Sequence, residues 1–131
     1  MTSEAHVPRK QKIVVVDDDA MVLRVHAEMI KAMGYIPFTF EQPEDAIGYL
    51  RGHAEHVAML ITDYNMPAMN GLELVGRLRD LGCDLPSMVL TAYSNQMDAS
   101  LVEKCNVKVV SKPVRIHALN NHVQSLLLQH C

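Results

Sequence analysis

The sequence predicts a doubly wound α/β fold, a five-stranded parallel sheet with five helices spread over both of its faces. Two observations carry this expectation. Five short apolar runs alternate with five stretches of helical periodicity, and glycines and prolines punctuate the joins. Polar or ionisable residues close strands one, three, four and five, at the end of the sheet where such folds place their ligands. A chain of 131 residues, 49% of them apolar, suits one domain with one continuous core.

Ile13 to Val16 is an unbroken β-branched run, as expected of a strand buried on both faces. Asp18 or Asp19 can cap the next segment. There Met21, Val22, Val25, Met29, Ile30 and Met33 recur at helical spacing until Gly34 supplies a left-handed stop. Tyr35 to Phe40 is the second strand; Pro37 cannot donate to a ladder, so this strand belongs at a sheet edge. Pro43 to Leu50 reads as the second helix, with Ala46, Ile47 and Leu50 on one face. Val57 to Thr62 is the third strand.

A turn-rich stretch from Asn65 to Gly71 precedes the third helix, marked by Leu72, Leu74, Val75, Leu78 and Leu81 and closed by Gly82. Ser87 to Thr91 is the fourth strand. The fourth helix, roughly Gln96 to Lys104, has only a thin stripe of Met97, Leu101 and Val102. Val107 to Ser111 forms the fifth strand. Ile116, Leu119, Val123 and Leu126 or Leu127 line the fifth helix, and at least one of Leu126 to Leu128 should face outward. Residues 1–11 are polar and are expected to form a flexible tail before a domain over residues 12–131. The 18 residues after Pro113 give room for the last helix, so no output domain is expected within the chain.

Charged residues make up 21% of the chain and the net charge is −3, which argues against direct nucleic-acid binding. No apolar run approaches the roughly 18 residues that span a bilayer, and the N-terminus lacks the apolar core of a signal peptide, so a cytoplasmic protein is expected. Cys83, Cys105 and Cys131 are odd in number and without a CxxC pair; they read as reduced thiols. His53 with His56, and His117 with His122, lack a third ligand at a credible spacing and read as ordinary solvated histidines. The methionines read as gap-filling packing.

The residues that carry chemistry converge on one end of the sheet. Asp17 and Asp18 follow the first strand, Asp63 the third, Thr91 ends the fourth, and Lys112 with Pro113 follows the fifth. Three carboxylates brought close repel unless a cation lies between them. A hard divalent ion, Mg²⁺ or Mn²⁺, suits such a cluster, with Asp18 and Asp63 as expected direct ligands. A carboxylate can also act as nucleophile and form an aspartyl phosphate, and the central Asp63 is the candidate acceptor. Lys112 would pair first with Asp63 and then with the transferred phosphoryl oxygen, to which Thr91 can also offer its hydroxyl. If the loop after Thr91 moves to make that bond, a local event biases the surface of helix four, strand five and helix five.

These residues, in Ile-Val-Val-Val-Asp17-Asp18-Asp, Ile-Thr-Asp63-Tyr-Asn-Met-Pro-Ala-Met-Asn-Gly71, Leu-Thr91-Ala92 and Ser-Lys112-Pro113, resemble the response-regulator receiver domains of two-component signalling over roughly Lys12 to Gln129. The resemblance implies the strand order 2-1-3-4-5, water-mediated metal binding by Asp17, a backbone carbonyl ligand from Asn65 and a cis Lys112-Pro113 bond. It implies a Mg²⁺-dependent switch, not a metabolic enzyme. Its phosphoryl donor would be a sensor histidine kinase or histidine phosphotransfer protein, and its downstream protein target would read the helix 4, strand 5, helix 5 face. The resemblance is compatible with a monomer or weak dimer, with no membrane partner. A phosphate-independent binding module is the main rival, and a receiver fragment of a larger regulator or hybrid kinase is the other.

Two positions depart from the family pattern. Val109 stands three residues before the lysine, where most members carry a Tyr or Phe whose ring turns inward on activation. Valine has few rotamers, so the output motion is expected in the loop or in helix four instead. Cys105 stands where the family often has Gly, and Asn106 is expected to take the left-handed turn. An aspartyl-phosphate phosphatase is disfavoured because Asn65, not an acid, lies two residues after Asp63. A flavodoxin-like nucleotide binder is disfavoured because no Gly-rich loop follows the first strand.

Overall fold

The computed structural model describes residues 11–129, so most of the expected tail over residues 1–11 lies outside the described residues. The carbonyl of Gln11 accepts from the Ile36 N–H. The elements run β1 (Lys12–Val16), α1 (Ala20–Ala32), β2 (Ile36–Phe40), α2 (Pro43–His53), β3 (Val57–Asp63), α3 (Gly71–Asp80), β4 (Ser87–Thr91), α4 (Ala99–Cys105), β5 (Val107–Ser111) and α5 (Ile116–Gln129). All four strand pairings are parallel, in the order β2-β1-β3-β4-β5. The order reverses between β1 and β3, which opens a crevice at their carboxyl ends.

Alternate residues of the inner strands feed two cores. Val14, Val16, Leu60 and Val89 meet α2, α3 and Cys105 on one face, while Ile13, Val15, Met59, Ile61 and Leu90 meet α1 and α5 on the other. Each core is walled by apolar side chains, so the central strands can be apolar without alternation. Pro37 sits on the edge strand β2, where its missing N–H leaves no gap in an interior ladder.

Helix ends follow their local chemistry. Asp19, not Asp18, caps α1, its carboxylate accepting from the Met21 and Val22 N–H groups. The chain leaves α1 through Gly34 at φ 95, with Tyr35 N–H bonded to Ile30 O and Gly34 N–H to Lys31 O. This paired-bond exit needs a left-handed residue, which glycine takes without strain. Asn70 and Glu73 form a reciprocal capping box at the start of α3.

Three expectations need correction. The inner stripe of α1 is Leu23, His26, Ala27 and Ile30, whereas Met21 and Val25 are 79% and 53% exposed. The true stripe contains a histidine and an alanine, so apolar periodicity alone misphased it. The fourth helix begins at Ala99 behind an Asp98 cap, and Ser94–Gln96 form a separate 3-10 turn. The carboxylate of Asp98 takes the Ser100 and Leu101 N–H groups, which fixes the start there. Leu81 is half exposed because it is the residue at which α3 ends. On α5 Leu126 is buried and Leu128 faces outward.

Candidate functional site

The carboxyl ends of β1, β3 and β5 converge as expected. One carboxylate oxygen from each of Asp17, Asp18 and Asp63 lies within 4.8 Å of the other two. No other group of three potential metal-ligating side chains occurs among the described residues, so neither His53 with His56 nor His117 with His122 joins one. Asp17 is buried, Asp18 is exposed to solvent, and Asp63 is 7% exposed. Lys112 reaches across from the end of β5 and ion-pairs with Asp63 Oδ1.

The backbone holds Asp63 from several sides. Its carbonyl accepts from the Thr62 hydroxyl at 2.9 Å, and the next residue, Tyr64, donates its N–H to Leu90 O on β4. Gly71 closes over the same carbonyl: a Cβ at this position would stand 2.6 Å from Asp63 O. Glycine is required by space here, because no L side chain fits between α3 and the end of β3. The Gly71 N–H also bonds Tyr64 O, which closes the loop that carries the exposed Asn65.

Asp17 Oδ1 accepts from the Asp19 N–H at 2.9 Å, while Asp17 Oδ2 is buried without a hydrogen-bond partner. Burial pushes the Asp17 carboxyl above the ordinary range; the charges of Asp63 and Asp18 push it further, against the Asp19 N–H bond and Lys112. An orphaned carboxylate oxygen beside two further acids is the donor set of a hard cation, so the residues present fit a divalent ion. Asp17, Asp18 and Asp63 are the clustered groups able to hold it.

Thr91 lies at the end of β4, fully buried, opposite Ser111 in the ladder. Its hydroxyl oxygen accepts from Tyr93 N–H at 3.1 Å, so the hydroxyl is engaged with its own loop and not with Asp63. The Lys112 N–H donates to Thr91 O, tying the two loops together. Ala92 is exposed at the start of the turn, the Lys112-Pro113 bond is cis, Val109 is half-buried on β5, and Asn106 takes the left-handed conformation at φ 55.

Four contributors escaped the sequence reading. Gly71 was visible in its motif, but its fit against Asp63 needs coordinates. The Asn70-x-x-Glu73 spacing is a capping-box signal that was there to be read. His26 is buried on α1, within reach of the charges of Lys112 and Asp63, and no local pattern announces it. The hydroxyls of Ser94 and Ser111, 2.5 Å apart, join the loop after Thr91 to the residue before Lys112.

The family model of the response regulator receiver domain matches residues 13–124 of this chain. The chain belongs to that family. Among curated relatives, the receiver domain is 32% identical over 92 residues to the putative two-component response regulator ARR21 of Arabidopsis thaliana, covering 70% of this chain and 15% of that protein. The chain therefore spans under a sixth of that regulator's length. It is 28% identical over 119 residues to the response regulator receiver protein CpdR of Brucella abortus, covering 90% of this chain and 98% of that one. Among solved structures, a response regulator receiver domain protein from Clostridium thermocellum superposes with a TM-score of 0.84 at 19% identity, covering 92% and 96% of the two chains. That likeness establishes the shared fold. A receiver domain is a phosphorylation-dependent switch of two-component signalling, a module that pairs with histidine kinases or phosphotransfer proteins.

Proposed function

We propose that Asp63 is the phosphoryl acceptor of this receiver domain and that Asp17, Asp18, Asp63 and the Asn65 carbonyl hold the Mg²⁺ or Mn²⁺ it uses. The observation that carries this reading is one buried carboxylate, Asp63, ion-paired to Lys112 beside two further acids, one of which has an unpartnered buried oxygen. A carboxylate oxygen of Asp63 attacks the phosphorus of a phosphohistidine. The P–N bond breaks, its electron pair returns to the imidazole, and a new P–O bond makes an acyl phosphate. The metal, when bound, supplies charge neutralisation for the phosphoryl oxygens. Lys112 then leaves the Asp63 carboxylate for a phosphoryl oxygen, and the Thr91 hydroxyl, whose oxygen accepts from Tyr93 N–H, donates its own proton to the same group.

The donor is a sensor histidine kinase or a histidine phosphotransfer protein, and a protein target reads the α4, β5 and α5 face. The chain acts as a monomer or weak dimer, with no metabolic substrate and no nucleic-acid partner, which suits its net charge of −3. A cytoplasmic setting suits the free thiols of Cys83 and Cys105. Among the described residues no helix is long and apolar enough to cross a membrane.

The test is the intact mass after incubation with acetyl phosphate, with and without Mg²⁺, beside Asp63→Asn. A metal-dependent gain of one phosphoryl group that the variant loses is the expected result. No gain under any condition overturns the acceptor assignment and favours a phosphate-independent binding module.

A further inference from the structure

Alternation along the strands decides which helical layer the site hangs over. Ile13 and Val15 on β1, Met59 and Ile61 on β3, and Val110 on β5 all pack into the core shared with α1 and α5. Side chains two apart along a strand share a face, so Asp17, Asp63 and, one step past the end of β5, Lys112 belong to that same face. The Asp63–Lys112 ion pair therefore lies on the α1 side of the sheet.

Four residues of α1 turn inward beneath it: Leu23, His26, Ala27 and Ile30. Leu23 and Ile30 share their core with Val114, two residues beyond Lys112. Along the seam, Val25 and Met29 of α1 face Val114 and Ile116 across a groove, so α1 lies against the segment that carries the lysine. His26 is the one polar side chain of the inner stripe, only 8% exposed, and the phosphoryl chemistry leaves it without a role. An aliphatic residue would serve packing there without the cost of burying a polar ring.

The charges that act on His26 are those of Lys112 and Asp63. Asp17 closes β1 on the same face; Tyr35, ahead of β2, packs into the same core; α5 turns Leu119, Val123 and Leu126 inward, and Arg24 and Glu28 of α1 itself are exposed. Among the described residues His26 forms no ion pair with Asp17 or Asp63, so it senses the site through space. Burial and Lys112 lower its affinity for a proton, and Asp63 raises it. A phosphoryl group on Asp63 replaces a single negative charge by roughly −1.5 to −2, the charge of a phosphate ester near neutral pH. Added negative charge favours the imidazolium.

We propose that His26 is a proton-binding group coupled to the phosphoryl site, so that phosphorylation of Asp63 and protonation of His26 favour each other. The inference rests on Asp63 being the acceptor. Coupling between two binding equilibria is reciprocal, so phosphoryl attachment becomes more favourable as pH falls through the His26 midpoint. Each unit by which phosphorylation raises that midpoint is worth about tenfold in the attachment equilibrium. The receiver thereby reads pH together with its phosphoryl donor.

The experiment is an NMR titration of the imidazoles of the whole chain from pH 8 to pH 5, with and without acetyl phosphate and Mg²⁺, with intact mass taken on each sample. His26→Leu identifies the His26 signal by its loss. The expected result is one added phosphoryl group and a His26 midpoint moved to higher pH. Phosphoryl gain with an unmoved or lowered midpoint overturns the coupling and leaves the acceptor reading standing. No phosphoryl gain removes the acceptor reading and the coupling with it. In Asp63→Asn the same additions should leave the midpoint in place; a rise there too assigns the effect to the added salts and overturns the coupling. Lys112→Met gives a check that needs no phosphorylation. Loss of that charge should raise the His26 midpoint in the unmodified protein, and an unmoved midpoint overturns the link between His26 and the site.

Discussion

Lys112 and Asp63 face each other across the carboxyl edge of the sheet, one from the end of β5 and one from the end of β3, with β4 between them. The ion pair sets one positive charge against a cluster of three carboxylates. Its removal has two separable consequences. Lys112→Met keeps length and removes charge, so the phosphoryl oxygens lose a partner that strengthens as negative charge develops. Phosphoryl uptake from acetyl phosphate should fall about 10²-fold, on the scale of losing one preorganised electrostatic partner. Stability should also fall, by roughly 1–3 kcal/mol; the lysine is 27% exposed, so less is lost than on breaking a fully buried pair. Mass spectrometry and urea unfolding read the two effects.

Divalent metal should stabilise the fold through Asp17. Its Oδ2 is buried without a partner, and an unpaired buried carboxylate oxygen gains more from a cation than a solvated one does. Thermal unfolding with increasing Mg²⁺ should show a rising midpoint, worth about 2.7 kcal/mol when the ion is at 100 times its Kd. Asp17→Asn should remove most of the rise. An equal rise in the variant would show that Asp17 contributes nothing to metal binding.

Gly71→Ala should damage the site and the fold together. The new Cβ meets the Asp63 carbonyl at 2.6 Å, and both partners of the clash are backbone or fixed to it. Either α3 retreats or the end of β3 moves, and both displace Asp63 from Lys112. A loss of about 1–3 kcal/mol is the usual scale for forced overpacking. Circular dichroism melts give the stability loss, and the rate of phosphoryl uptake gives the displacement. A variant with native stability and native uptake would mean the loop yields at no cost.

These sites differ in how much of them the sequence exposes. Asp17, Asp18, Asp63, Thr91 and Lys112 were legible because strand ends in a parallel sheet all point to one rim, so position along the chain converts into position in space. The edge placement of β2 followed from one missing N–H at Pro37. The phase of α1 was not legible: Met21 and Val25 look apolar and lie outside, while His26 looks polar and lies inside. Pattern reading assigns sides by residue type, and a buried histidine defeats it. The start of α4 was missed for a different reason, since a 3-10 turn and a helix share the same local propensities until the Asp98 cap decides between them. Gly71 and Arg79 act on atoms distant in sequence or fixed by the fold, and no single-chain pattern encodes those distances.

His26 makes the pH dependence of stability testable. Burial on α1 holds its imidazole below the ordinary histidine range, the charge of Lys112 lowers it further, and Asp63 opposes both. The folded protein therefore prefers neutral His26, whereas the unfolded chain binds the proton near the ordinary value of 6.5. The neutral imidazole contributes stability that is fully present above pH 6.5 and is lost as pH falls through the lower folded-state value. Urea midpoints measured from pH 8 down to pH 5 should decline, and His26→Leu, which fills the same inner stripe beside Leu23 and Ile30, should flatten that part of the decline. An unchanged slope in the variant would place the titration elsewhere, with His122 on α5, also held low by burial, the next group to replace.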